Sequence, residues 1–108
     1  MKLKPSLRQK KRYIVFEIVD KQIFKVTDVK LVVQSALASF LGELGQAKAG
    51  VMFLPEKFKN NKFVVKVNHK YVKETISALI LIKKIKNNAV IVKSIAVSGT
   101  LKKANSYI

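Results

Sequence analysis

The stretch AKAGVMFLPEKFKNNKFVVKVNHKYVKETISALILIKKI, residues 47–85, decides the fold. Ala47 to Leu54 reads as a strand, stopped by Pro55. A basic connection, PEKFKNNK, carries the Asn60-Asn61 pair. Lys62 to Val67 then alternates, with Phe63, Val65 and Val67 on one face. Two such segments joined by a turn make a hairpin. Asn68 can cap a helix over Lys70 to Ile85 whose inward face holds Val72, Ile76, Leu79 and Ile80. Tyr71, Ala78, Ile82 and Ile85 widen the apolar arc, and Leu81 lies nearly opposite Val72. A helix so apolar on a small domain either packs deeply or meets a second protein.

Upstream, Tyr13 to Val19 alternates as a strand with Ile14, Phe16 and Ile18 on one face. Its other face is also mostly apolar, which predicts a central position in a sheet. Residues 20–26 connect it to an amphipathic helix with Thr27 as N-cap and Asp28 in the first turn. Val29, Val33, Ala36, Leu37, Phe40 and Leu44 share a face, Gly42 weakens the last turn, and Gly45 supplies the stop. Downstream, Asn87-Asn88 ends the second helix and Ala89 to Val97 is a fourth strand. The order is strand, helix, strand, strand, helix, strand. It predicts an α+β βαββαβ sandwich: a four-stranded antiparallel sheet, the first and third strands central, both helices on one face. The other face is left to a tail, another chain or nucleic acid. A basic arm (residues 1–12) precedes this body (13–98) and a basic tail (99–108) follows it.

Charge narrows the class of partner. Lys and Arg number 22 against 6 Asp and Glu, a formal charge of +16 on 108 residues. Self-repulsion of that size opposes compaction, and a phosphate-bearing partner relieves it while releasing counterions. The acids, Glu17, Asp20, Asp28, Glu43, Glu56 and Glu74, are scattered singly. Hydrophobic residues make up 49% of the chain, enough for a core and too many for a disordered tail. Cysteine is absent, which excludes disulfides and thiol chemistry and suits a reducing compartment. The longest apolar run, Ala78 to Ile82, falls far short of the roughly 20 residues that span a bilayer. Glu17 interrupts the N-terminal apolar stretch, and no small-residue cleavage site follows, so a signal peptide is not expected.

Catalytic constellations are missing. His69 is the only histidine, and it sits beside the Asn68 cap as an expected surface residue. Glu17 and Asp20 do not share a strand face. Ser98 in Ser-Gly-Thr lacks both a base and the strand-turn-helix setting of a nucleophile elbow. The topology resembles an RNA-recognition motif, whose first and third strands stack bases on aromatics. KFVVKV at 62–67 lacks that aromatic pattern, and Phe63 reads as core.

Two motifs carry a closer resemblance. PSLRQKKRYIVFEI at 5–18 resembles the opening of the ribonuclease P protein component 2 family, and VSGTLKKA at 97–104 resembles its closing motif. GVMFLPEKF at 50–58 and LIKKI at 81–85 fit the same pattern. The resemblance implies an RNA-recognition-motif-like fold and a noncatalytic, cytoplasmic subunit of the ribonucleoprotein that removes the 5′ leader of precursor tRNA. It implies that the catalytic centre is RNA and holds the magnesium. It also implies a TIM-barrel-like protein partner in a two-plus-two heterotetramer, and no membrane. Under that reading Lys2, Lys4, Arg8, Lys10, Lys11 and Arg12 meet RNA phosphates. The Ser98-Gly99-Thr100 turn joins them, with Lys102 and Lys103 beside it, unless it is only a tight turn. Lys57, Lys59 and Lys62 read as a solvated hairpin loop. Leu31 and Leu81 are candidates for the protein interface. Competing classes are a ribosomal or other ribonucleoprotein scaffold, a stand-alone nuclease, against which the scarcity of acids argues, and a membrane-surface protein, against which the lack of Trp argues.

Overall fold

Ile14, Val15 and Phe16 are all fully buried. Successive strand residues point to opposite faces, so burial of three in a row requires a sheet covered on both sides. The computed structural model, which describes residues 10–108, shows how this is done. Strands β1 (Lys11–Val19), β2 (Met52–Lys59), β3 (Lys62–Asn68) and β6 (Ile91–Ser98) form an antiparallel sheet in the order β2-β3-β1-β6. The first and third strands are central, as the order of elements predicted.

Helices α1 (Val26–Ala49) and α2 (Val72–Ile80) cover one face. Val29, Val33 and Leu37 of α1 and Ala78 and Leu79 of α2 meet Ile14, Phe16, Phe63, Val65 and Val67 of the sheet. Phe63 is fully buried, stacked on Phe16 at 5.2 Å between ring centroids and tilted against Phe53 at 5.5 Å. It is core, as its isolation among aliphatic residues suggested. Leu41 continues the i, i+4 stripe begun by Val29, Val33 and Leu37, so Phe40 and Leu44 lie off it and are exposed.

The other face is covered in part by the chain's own C-terminal segment. Residues 101–105 form a third helix, α3 (Leu101–Asn105), rather than part of an open tail. Ala104 is fully buried against Val15, Leu54 and Val64, with Leu101 and Ile108 beside it. The body therefore runs to the last residue and includes what was read as tail. Lys11 and Arg12, read as part of the arm, belong to the body as well, since they pair with Asn68 and Val67 of β3.

Other boundaries move for identifiable reasons. Lys25, not Thr27, is the N-cap of α1, its carbonyl accepting from the amides of Asp28 and Val29. The helical region runs past Gly45 to Ala49, broken instead at Gly42 with φ 71°, a conformation that costs a residue with a Cβ more than it costs glycine. Gly50, at φ 60°, ends it by donating to the Gln46 carbonyl. The second strand accordingly starts at Met52, not Ala47. It passes through Pro55 because β2 is an edge strand whose register with β3 shifts between Leu54 and Lys59, so the missing N–H breaks no ladder there. The helix predicted to reach Ile85 stops at Ile80, preceded by a 3₁₀ turn (His69–Tyr71) capped by Asn68. Short strands β4 (Lys84–Ile85) and β5 (Asn88–Ala89) then pair around Lys86 and Asn87, both at positive φ. The fourth strand of the sheet starts at Ile91 rather than Ala89, because Asn88 and Ala89 belong to that hairpin.

The tight turn of the β2–β3 hairpin is also a fastener. Asn60 and Asn61 both have positive φ, the geometry of a two-residue hairpin. Asn61 is buried; its Oδ1 accepts from the Phe24 amide at 3.0 Å and its Nδ2 donates to the Gln22 carbonyl at 2.6 Å. Its own carbonyl accepts from the Ile18 amide at 2.8 Å. The β1–α1 connection is thus tied to the hairpin tip. Replacing Asn61→Gly keeps the backbone conformation and deletes the amide. A loss of about 2 kcal/mol is expected in urea denaturation, against under about 0.5 kcal/mol for Asn60→Gly. Equal losses for the two variants would remove the fastener role.

Candidate nucleic-acid interface

Arg12 and the basic segment that follows Ser98 converge. Tyr13 of β1 pairs with Ser98 of β6, which brings Arg12 to the Ser98-Gly99-Thr100 turn. The Arg12 Nη1 lies 3.7 Å from the point where a side chain on Gly99 would begin, and it donates to the Lys11 carbonyl at 3.1 Å. Thr100 starts α3, so Lys102 and Lys103 follow within one turn and both are exposed. Among the described residues, Arg12, Gly99, Lys102 and Lys103 form one cationic margin of the sheet.

The other expected contact residues divide. Lys10 is exposed, and its carbonyl accepts from the His69 amide at 2.9 Å, with the His69 Nδ1 3.1 Å away. Lys11 turns elsewhere: its Nζ lies 3.0 Å from where a Gly50 side chain would begin, at the C-terminal end of α1. A cation there complements the helix dipole, which gives Lys11 a structural task. Lys2, Lys4 and Arg8 lie outside the described residues.

The hydroxyls of the turn are engaged internally. Ser98 is buried; its Oγ donates to the Thr100 carbonyl at 2.9 Å and accepts from the Thr100 amide at 3.2 Å. The Thr100 Oγ1 accepts from the Lys103 amide at 3.3 Å as the N-cap of α3. The motif is a turn and a helix cap, with the Arg12 guanidinium lying over it. The sequence reading missed α3, although Leu101, Ala104 and Ile108 repeat at i, i+3, i+7, the spacing of one helix face.

Leu31 and Leu81 are brought into one region. Both are exposed, and they line adjoining clefts between α1 and α2 with Val32, Ala36, Phe40 and Ile82. Lys83 and Lys84 stand at the rim of the first, which encloses about 370 Å³. No three His, Cys, Asp or Glu among the described residues form a metal-binding group. Glu17 is paired with Lys93 at 3.4 Å and Asp28 with Lys86 at 3.2 Å. No helix among the described residues is long and apolar enough to cross a membrane.

Residues 12–108 match the model of the Rpp14/Pop5 family. The chain is 38% identical over 101 residues to ribonuclease P protein component 2 of Thermococcus kodakarensis, covering 94% of this chain and 84% of that protein. It is 37% identical to the protein of the same name from Pyrococcus abyssi, covering 95% and 90%, and 32% identical to that of Methanosarcina mazei, covering 95% and 87%. A chain in the cryo-EM structure of yeast ribonuclease MRP superposes with a TM-score of 0.65 at 14% identity, over 87% of this chain and 77% of that one; at that identity the likeness is one of fold.

Because Thr100 caps α3 and α3 seals the sheet, Thr100→Ala is expected to destabilise the protein by about 1 kcal/mol, and Thr100→Ser by much less. Thermal unfolding of the three proteins checks this; equal midpoints would show that the hydroxyl supports nothing.

Proposed function

The chain belongs to the Rpp14/Pop5 family, and on that premise we propose that it is a noncatalytic, RNA-binding protein subunit of ribonuclease P. It supports removal of the 5′ leader of precursor tRNA by a catalytic RNA, in the cytoplasm. The observation that carries this reading is the match to ribonuclease P protein component 2 over 94% of the chain. The fold supports it, because the two motifs that first suggested the family meet across the Tyr13–Ser98 pairing.

The mechanism follows from charge. A folded ribozyme brings phosphate backbones together, and each approach is opposed by Coulomb repulsion that mobile salt screens only over about 8–10 Å. Fixed cations lower that repulsion at chosen places, and they lower the magnesium that the RNA must hold for itself. Lys10, Arg12, Lys102 and Lys103 are the described residues assigned this role at the sheet margin, with Lys2, Lys4 and Arg8 preceding them in sequence. Magnesium belongs to the RNA in this scheme, and bond breaking proceeds there.

The α1–α2 cleft is assigned to a protein partner, the TIM-barrel-like subunit, in a two-plus-two assembly. Leu31, Phe40 and Leu81 are exposed apolar anchors of the kind that a protein interface buries. The basic rim keeps the same surface soluble when the partner is absent.

In a reconstituted holoenzyme, the combined Lys10→Gln and Arg12→Gln variant is expected to raise the magnesium needed for half-maximal tRNA processing. It should also flatten the salt dependence of RNA binding by about 2 in log–log slope. An unchanged magnesium requirement would take this margin out of the mechanism. Leu81→Asp is expected to weaken binding of the TIM-barrel-like subunit at least about tenfold by calorimetry; undiminished affinity would exclude Leu81 from that interface.

A further inference from the structure

We infer a second phosphate-binding surface, on the half of the sheet's outer face that α3 leaves open. It deepens the RNA-binding reading above and rests on it. Register places Lys59 of β2 opposite Lys62 of β3, Lys62 opposite Glu17 of β1, and Glu17 opposite Lys93 of β6. Residues directly opposite in an antiparallel pair share a face, so these four side chains form one row across all four strands. At the usual strand spacing the row is about 14 Å long. The neighbouring row, Leu54, Val64, Val15 and Ala96, is the one covered by α3. The charged row lies just beyond it, at the hairpin end of the sheet.

This row carries three cations and one acid. Glu17 forms its ion pair with Lys93, and among the described residues Lys59 and Lys62 reach no carboxylate. Like charges directly opposite each other destabilise a sheet, and the hairpin nonetheless places two lysines in that position beside its tightest turn. Two uncompensated positive charges on a flat strand surface fit an external anion that extends along the row. A nucleic-acid backbone has that form. The aromatic rings that would read bases are not on this surface: Phe16 and Phe63 are fully buried and Tyr13 packs beneath α3. The surface therefore binds RNA through its phosphates, without regard to sequence. Lys59 and Lys62, two of the three lysines read as a solvated hairpin loop, become, with Lys93 from a strand about 30 residues away, parts of one site.

The test uses the full-length protein and two RNA duplexes of about 20 base pairs, one of mixed sequence and one with the same bases shuffled, with binding followed by fluorescence anisotropy across a salt series. The triple variant Lys59→Gln, Lys62→Gln and Lys93→Gln is expected to bind both duplexes more weakly and to lower the log–log salt slope by about 2–3. Glu17→Gln removes the only acid of the row and is expected to tighten binding to both. Circular dichroism of each variant checks that the sheet is intact. A wild-type slope in the triple variant, or a loss confined to one duplex, would overturn the surface while leaving the RNA-binding reading in place. Absence of binding by the wild-type protein would overturn that reading and the surface together.

Discussion

Double-sided burial of the central strands is the constraint from which the rest of the molecule follows. Ile14 and Phe16 face α1 and α2, while Val15, between them, faces α3. A short chain must therefore supply two layers against one sheet. Two amphipathic helices provide the first layer. The second is a helix of five residues, anchored by a threonine cap and by Ala104, whose small side chain lets it sit directly on Val15 and Val64. Burial of each aliphatic side chain is worth about 1.5–3 kcal/mol, so even this small lid contributes on the scale of the whole protein's stability.

Covering the outer face has a functional effect. The related topology that stacks RNA bases does so on this side of the sheet. Here α3 occupies part of that surface and covers Tyr13, while Phe16 and Phe63 lie in the opposite layer. Two cationic surfaces result: a margin where Arg12 meets the Ser98-Gly99-Thr100 turn, and a lysine row where the sheet remains open. With ion pairs only at Asp28 and Glu17 among the described residues, most of the positive charge is left for a partner. Family membership puts the chain among ribonuclease P subunits, and the uncompensated charge is what the proposed contact with RNA phosphates would use.

The strands were legible because alternation in Tyr13–Val19 and Lys62–Val67 is a local signal, and the split order of elements fixed the topology. Features set by tertiary contact were not. Gly42 and Gly45 both read as helix-weakening; which one breaks the helix depends on where the chain must turn to reach the sheet edge. Pro55 reads as a stop, and only an edge position permits it to remain within a strand. Lys83–Asn88 lacks the glycine that marks a two-residue hairpin, so Lys86 and Asn87 concealed one. At the candidate interface, residue type identified the basic ends, but only geometry separates Arg12, which lies over Gly99, from Lys11, which lies at the end of α1. The cross-strand lysine row was invisible, since its members come from three separate strands.

The pairing of β1 bears on how the polypeptide is made. Strand β1 leaves the ribosome before either of its partners, Lys62–Asn68 and Ile91–Ser98. Until those segments emerge, the apolar core of β1 has no sheet to join, and contacts so distant in sequence form slowly. Throughout that interval the growing chain is strongly cationic, and mutual repulsion holds neighbouring nascent copies apart. The same charge that suits the finished protein to RNA guards the unfinished one against aggregation.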